Sequence, residues 1–516
     1  MDKTGYALKL ISSTDRYVFF ARPPGFGKSL FVDMLRLIFK GIENKEMFKG
    51  TEIYQSDYDW HAYTLLHFDF DNLNHERGQF ASQLMRQIVD MENVFHIRPK
   101  LTSFCNELDN LVQQTYMSSQ EEVVILVDNY DAPIVKCLPD NSDVAVENFA
   151  ILREFFSCLI SLDVYLRFAF VTGVSRFPMD KEGLGMNEFM DATLYENYTA
   201  IMEFTKEEME TYFERYYENA TAEEAVLREK SYGYSFSCNN VSSYHSDSVV
   251  RYFGRDNTTD ILKLAEHVLN AFRKSPYSVF TMHNISEANL ILSDFKKFNS
   301  RDVLPMLFQT GYLTIKHCIM RETKRGGQCY LYDLGFATAR IENYFLNTVL
   351  EDIILRESIT EEGGYSILRQ YVLDRNLSAF LETTNVYLKR VNYRGQDERI
   401  YRNLIECLLR LAGLKAVWRQ RLDRTNFVQV DCIFELTKDR DADDALRTMV
   451  SKDNELSITD VRFKGGVVIG LNFDSKVLTI DGCEATWFDE NNKKVGYEYF
   501  HKLVFVRSGV QRVMGE

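Results

Sequence analysis

The sequence predicts an α/β protein, with a parallel sheet in residues 1–200, a helical stretch after it and a second α/β domain at the C-terminal end. Three observations carry this. Short, wholly apolar runs alternate with amphipathic helical patterns between residues 17 and 171, as expected of strands buried on both faces by helices. One such run, Tyr17–Ala21, leads through a Pro- and Gly-rich turn into a helix, and another, EEVVILVDNYD at residues 121–131, ends in an acid. The length of 516 residues exceeds what one hydrophobic core usually supports and calls for about two to four domains.

The first of these stretches, FFARPPGFGKSLFVDMLRLIF at residues 19–39, reads as strand, loop and helix. Apolar residues at Leu30, Phe31, Met34, Leu35 and Ile38 have the spacing of a helix with one buried face. Such a corner suits phosphate, because Gly25 and Gly27 let backbone amides approach an anion while the new helix aims its free N–H groups at it. Lys28 would reach the outer phosphates and the Ser29 hydroxyl would ligate Mg²⁺. The loop Arg22-Pro23-Pro24-Gly25-Phe26-Gly27-Lys28-Ser29 departs from G-x-x-x-x-G-K-[ST] at one place, where Arg22 holds the first glycine position. Taken alone, a tight turn followed by a solvated lysine reads the same way.

The acidic strand supplies the complement. Five apolar residues ending in Asp128 describe a buried parallel strand with a carboxylate at its C-terminal end, the end at which open α/β sheets bind ligands. A nucleotide's Mg²⁺ needs an acid there. Together the two stretches point to a site for ATP and Mg²⁺.

Further strands are expected at Thr64–Phe70 and Tyr165–Val171, and helices at Gln79–Met91, Leu101–Tyr116 and Val146–Ile160. The last strand runs into Thr172-Gly173-Val174-Ser175-Arg176, polar residues at the sheet end where a γ-phosphate could be sensed. Thr172 and Ser175 are the candidates, with Arg176 behind them, and an ordinary loop is the alternative. From about 199 to 299 the pattern is helical with aromatic loops, and Thr205 with Glu208 forms a capping box for a helix over Phe204–Tyr217.

Composition narrows the function classes. Apolar content of 45% and charged content of 26% are those of an ordinary globular protein. A net charge of −15 argues against a surface coated for nucleic acid, so any such contact must be local. Nine scattered cysteines without a CxxC pair fit a reduced, intracellular compartment better than a disulfide scaffold, and neither they nor the nine histidines have metal-site spacing. No signal peptide or membrane span is expected, because Phe155–Val174 is interrupted by Asp163 and Arg167.

Arg22-Pro23, Phe26-Gly27-Lys28-Ser29-Leu30 and Val127-Asp128-x-Tyr130-Asp131-x-Pro133 resemble the AAA-ATPase-like proteins of bacteria and mobile elements, whose loop reads R-P-x-x-F-G-K-S and whose acidic strand reads D-E-Y-D-x-P. The resemblance implies a parallel-sheet P-loop NTPase domain (1–200), a helical lid (201–299), a connecting module of winged-helix type (300–375) and a C-terminal PD-(D/E)XK restriction-endonuclease-like domain (376–516). It implies ATP and Mg²⁺ as cofactors, residues 24–30 around the phosphates, Arg22 on the phosphates or in a loop contact, and Ser29 and Asp128 on the metal. Where the family has Glu after the strand acid, this chain has Asn129. An amide cannot accept a proton from the attacking water as a carboxylate can. Asp131 is the candidate substitute, with a turn aspartate as the alternative reading.

In the C-terminal domain, the segment from Lys389 to Arg424 carries ten basic and four acidic residues, a local excess that makes it the natural DNA contact. A helix face paired with acids of the same chain is the alternative. Val467–Lys476 resembles the family's last strand and Asp441–Met449 its preceding helix. Metal-dependent cleavage needs an Asp, a Glu and a Lys that converge. Asp431 and Glu435 suit the first two roles, but Thr437 holds the lysine place and Lys438 is one residue off register, on the opposite face. The expectation is a degenerate nuclease fold that binds DNA under control of an ATP switch or slow ATPase. An active nucleotide-gated endonuclease and a scaffold binding neither ligand are the other readings, and a homo-oligomer is compatible with all three.

Overall fold

The computed structural model describes residues 1–138, 142–213, 220–239, 241–254, 268, 282, 284–292, 302–322, 328–353, 366–388, 398–419, 430–438, 442–447, 449–450, 463, 465–474 and 479–501. The chain divides into two compact units, Met1–Glu342 and Asn343–Glu516. The division falls inside the stretch expected as a connecting module.

The first unit is built on a five-stranded sheet of β1 (Tyr17–Ala21), β2 (Thr64–Asp69), β3 (Val123–Asp128), β4 (Leu166–Gly173) and β5 (Met190–Asp191), in the order β2-β3-β4-β1-β5. Every pairing is parallel. β1 and β3 are buried at every position, which explains their unbroken apolar sequence. The helix Lys28–Phe39 lays Phe31, Val32, Leu35, Ile38 and Phe39 on one face of the sheet, against Val18, Phe20, Val124, Leu126, Phe168 and Phe170. Leu30, expected on that face, is 74% exposed. It sits in the first turn, before the helix has rotated its stripe onto the sheet. Helices Phe80–Val94, Phe104–Ser119 and Ser142–Ser161 match the expected ones within a few residues, and Phe155 of the last packs on Phe68 and Phe70 at the end of β2.

Among the described residues after 199, short strands stand beside the expected helices. The capping box forms: Thr205 N donates to Glu208 Oε2 at 2.8 Å and Glu208 N to Thr205 Oγ1 at 3.2 Å, starting the helix Lys206–Phe213. Beside it lies a small antiparallel sheet of β6 (Phe204–Thr205), β7 (Tyr232–Tyr234) and β8 (Ser243–Tyr244). Strands of two or three residues are too short to leave a period in the sequence. β9 (Ile285–Ser286) pairs with a long hairpin of β10 (Leu313–Glu322) and β11 (Gln328–Phe336), which follows the helix Val303–Gln309.

Two disulfides correct the expectation of reduced cysteines. Cys105–Cys158 joins the helices Phe104–Ser119 and Ser142–Ser161, and Cys238–Cys318 ties the loop after β7 to β10. The partners are 53 and 80 residues apart, so no local spacing could have announced them. No helix among the described residues is long and apolar enough to cross a membrane.

The second unit carries helices Ser366–Leu373, Leu377–Leu388 and Glu398–Leu411 and a sheet of β12 (Ala416–Trp418), β13 (Cys432–Lys438), β14 (Gly466–Asp474), β15 (Thr479–Phe488) and β16 (Lys494–His501). β12, β13 and β14 are parallel, and β15 and β16 follow antiparallel. Of the strand expected over Phe427–Leu436, residues 427–429 lie outside the described residues, and the strand itself begins at Cys432.

Candidate nucleotide site

β1 delivers the loop at the C-terminal edge of the sheet, and the helix Lys28–Phe39 starts directly from it. Gly27 precedes the helix with φ +90° and no side chain caps its N-terminus. A Cβ at Gly27 would meet nothing within 4 Å, so the helix opens onto free space with uncapped amides, the arrangement that takes an anion. Lys28 is buried and its Nζ donates to Pro23 O at 3.0 Å. Burial pushes its pKa down to about 8, against the pull of Asp131 and Asp128. The Ser29 hydroxyl faces the Asp128 carboxylate closely enough to hold its pKa down. Burial raises the Asp128 pKa and neighbouring Asp69 adds to the rise, while Ser29 opposes it.

The loop is held from outside by the segment after β8. His245 Nε2 bonds Pro24 O at 2.9 Å, so the ring carries its proton there and Nδ1 accepts from Ser248 N at 3.2 Å. Asp247 N donates to Gly25 O at 2.9 Å. Gly25 has φ +79°, and a Cβ there would lie 2.6 Å from the His245 ring, so no other residue fits. Phe26 is fully buried with its ring edge-on to Tyr234, Phe236 and His245. These contacts turn the carbonyls of Pro24 and Gly25 outward and make Phe26 the loop's anchor. Leu30 stands in solvent.

Arg22 does not reach phosphate. Its guanidinium is fully buried, paired with Glu203 and stacked between Phe20 and Phe236. It also donates to Thr193 O at 2.7 Å and to Ala21 O at 3.0 Å. Arginine at the first glycine position thus fastens the start of the loop to the segment that follows the sheet.

The expected sensing and base residues are also committed elsewhere. Thr172 Oγ1 donates to Phe20 O at 2.7 Å, joining β4 to β1. For Ser175 only the backbone is committed, taking a bond from Tyr130 Oη at 2.7 Å and giving one to Asp131. Arg176 is clamped by Asp191 and Glu287. Both Asp131 oxygens accept backbone amides, from Val174 at 3.2 Å and Ser175 at 2.7 Å. Asp131 therefore shapes the loop after β4 and is poorly placed to activate water. Asn129, at φ +52°, turns its amide to Asp69 Oδ1 at 3.0 Å.

Lys28, Ser29 and Asp128 are thus gathered at one sheet edge, beside a helix end that needs an anion. Residues 1–182 match the family described as a predicted AAA-ATPase. That match supports nucleotide binding by the AAA-ATPase-like region. The chain is also 31% identical over 225 residues to an "Uncharacterized protein in vnfD 5'region" of Azotobacter chroococcum mcd 1. The alignment covers 41% of this chain and 41% of that relative, so the chain spans about two fifths of the relative's length.

The donor set of the AAA-ATPase-like region fits Mg·ATP. A hydroxyl and a carboxylate in mutual contact are two hard oxygen ligands, and Mg²⁺ usually takes one or two from protein with phosphates and waters supplying the rest. Sequence reasoning missed Asp69, Glu203 and His245. Asp69 alone carried a signal, as an acid closing an apolar strand in the manner of Asp128.

In the second unit the acids weighed for a nuclease centre are not brought together. Asp431 lies just before β13 and its Oδ2 accepts Lys415 N at 3.3 Å. Glu435 is four residues further on, about 13 Å along an extended strand, and is ion-paired with Arg402 at 3.0 Å. Two carboxylates so far apart cannot share a metal ion, and Lys438 lies further along the same strand. Among the described residues no group of three or more His, Cys, Asp or Glu could hold a metal. Of the basic segment, Lys389, Arg390, Arg394, Arg421 and Arg424 lie outside the described residues, while Arg402 and Arg410 pair with Glu435 and Glu406.

Proposed function

We propose that the chain is an ATP·Mg²⁺-binding P-loop protein whose nucleotide state governs a C-terminal unit that binds DNA without cutting it. The observation that carries the first part is the contact of Ser29 with Asp128 beside the buried Lys28. A buried ammonium at a helix N-terminus places two positive features together, and a triphosphate is the ligand that balances both. When bound, the nucleotide supplies the phosphoanhydride and Mg²⁺ supplies charge neutralisation. Lys28 and the loop amides would hold the phosphates, and Ser29 and Asp128 would hold the metal. The absence of cutting is supported by the pairing of Glu435 with Arg402, which commits to an internal ion pair the acid that cleavage would need, and DNA binding rests on the basic excess of residues 389–424 alone.

Titrating ATP into the full chain with and without Mg²⁺ tests the site. Wild type should bind more tightly with Mg²⁺, and Asp128→Asn and Ser29→Ala should lose that increment. Equal affinity in Mg²⁺ and in EDTA would refute the assignment.

A further inference from the structure

Where related ATPases use a glutamate to polarise the attacking water, this chain presents Asn129, and the structure shows what that amide does. Its Nδ2 donates to Asp69 Oδ1 at 3.0 Å. Asp69 is the last residue of β2 and stands directly opposite Asp128 in the parallel β2–β3 pairing. Opposed residues on neighbouring strands project to the same side of a sheet, so the two acids sit side by side at the C-terminal edge. We propose that Asp69 supplies the water-activating carboxylate that position 129 lacks, with Asn129 as the positioning residue, so that the site hydrolyses ATP.

Four observations support the assignment. Glutamate is longer than asparagine by one methylene, roughly 1.5 Å, and the Asp69 oxygen lies one hydrogen bond beyond the Asn129 amide. The Asp69 carboxylate is therefore within about 2 Å of the place a glutamate at 129 would put its own. It is also held rigidly, because Oδ1 accepts Asp71 N at 3.0 Å as well as Asn129, and Oδ2 accepts Asn72 Nδ2 at 2.5 Å. A carboxylate has about four acceptor positions, so these three bonds leave one, on Oδ2, and the partly exposed side chain lets water reach it. The other acids are committed: Asp131 to the amides of Val174 and Ser175, Asp128 to Ser29 and to Asn129 N.

The step balances without a further reactant. The water oxygen forms a bond to the γ-phosphorus as the bridging bond to the β-phosphate oxygen breaks, and ADP leaves with that electron pair. The water proton passes to Asp69 Oδ2 and then to solvent.

This inference rests on the nucleotide reading, and the test separates the two. Full-length wild type, Asp69→Asn and Asn129→Ala are compared for affinity to AMP-PNP·Mg²⁺, for single-turnover phosphate release and for binding of ADP·Mg²⁺ with aluminium fluoride, which mimics the transferring phosphoryl group. Wild type should release phosphate and bind the fluoride complex more tightly than ADP. Asp69→Asn should keep its AMP-PNP affinity, slow phosphate release by about 100-fold or more and lose the preference for the fluoride complex. Asn129→Ala, which leaves the carboxylate in place but unheld, should lose about 10-fold with AMP-PNP affinity intact. Unchanged phosphate release in Asp69→Asn would overturn the assignment, as would a wild type that binds AMP-PNP but neither releases phosphate nor prefers the fluoride complex. A wild type that binds no AMP-PNP would overturn the nucleotide reading and this one with it.

Discussion

Raising the pH from 7 to 9 should weaken ATP binding about tenfold through Lys28 alone. In the free protein burial holds this ammonium at a pKa of about 8, opposed by Asp131 and Asp128 and aided by Arg22. A bound triphosphate favours the charged form and lifts that pKa back toward or above the ordinary lysine value of about 10.4. Binding therefore requires the proton, and where the free protein has lost it the proton must be taken up. At pH 7 nearly all the free protein is protonated and no correction applies. At pH 9 only about one molecule in eleven is, a loss of about 1.4 kcal/mol in binding. Calorimetric titration of ATP·Mg²⁺ at pH 7, 8 and 9 in buffers of different ionisation enthalpy reads both affinity and proton uptake. The expected uptake approaches one proton per site at pH 9, and Lys28→Arg, whose charge does not titrate in this range, should flatten the profile. Affinity that is constant from pH 7 to 9 in wild type would refute the reasoning.

Three further outcomes follow from buried groups. Glu203→Ala leaves the Arg22 guanidinium buried without its counter-ion, which should cost about 3–5 kcal/mol in urea unfolding; a cost below about 1 kcal/mol would show that Arg22 is satisfied by Thr193 and Ala21 alone. Glu92 is fully buried against Glu107 and Asn110, and burial with the neighbouring carboxylate raises its pKa. Folding then favours its protonated form, so its contribution is present at low pH and lost as pH rises through the raised value. Glu92→Gln should stabilise more at pH 7.5 than at pH 5 by thermal denaturation, and equal shifts at both would contradict the burial argument. In the second unit, Glu435→Ala should destabilise by about 3–5 kcal/mol through the loss of Arg402's partner, and wild type should leave supercoiled plasmid intact with Mg²⁺. Cleavage that Glu435→Ala abolishes would restore the nuclease reading.

The parallel sheet was legible because strands buried on both faces have no choice but unbroken apolar sequence, and β1, β3 and β4 appear within a residue or two of expectation. The placement of Lys28 and Ser29 at a helix start and of Asp128 at a strand end was legible because such chemistry goes with those positions. What failed depended on partners distant in sequence. For Arg22 the choice between phosphate and loop contact was decided by Glu203, and for Thr172 the choice between sensor and loop by Phe20 O, both far away in the sequence. Leu30 satisfied the helical period but precedes the turn at which the stripe meets the sheet. For Asp431 and Glu435 the sequence showed the misplaced lysine but not the separation between an acid just before β13 and one within it. The disulfide partners and the short strands β6–β8 leave no local trace at all.

The central claim is that the corner formed by Gly25–Ser29 holds a triphosphate opposite Asp128. The most direct measurement is the melting temperature of wild type and Lys28→Ala with and without saturating ATP·Mg²⁺. At about 100 times the dissociation constant, ligand stabilises the folded state by about 2.7 kcal/mol. That gain is expected in wild type and none in Lys28→Ala, with Lys28→Ala at least as stable as wild type when no ligand is present, because an ammonium whose burial disfavours its charge has been removed. A wild type that ATP·Mg²⁺ does not stabilise, or a Lys28→Ala variant that it stabilises equally, would contradict it.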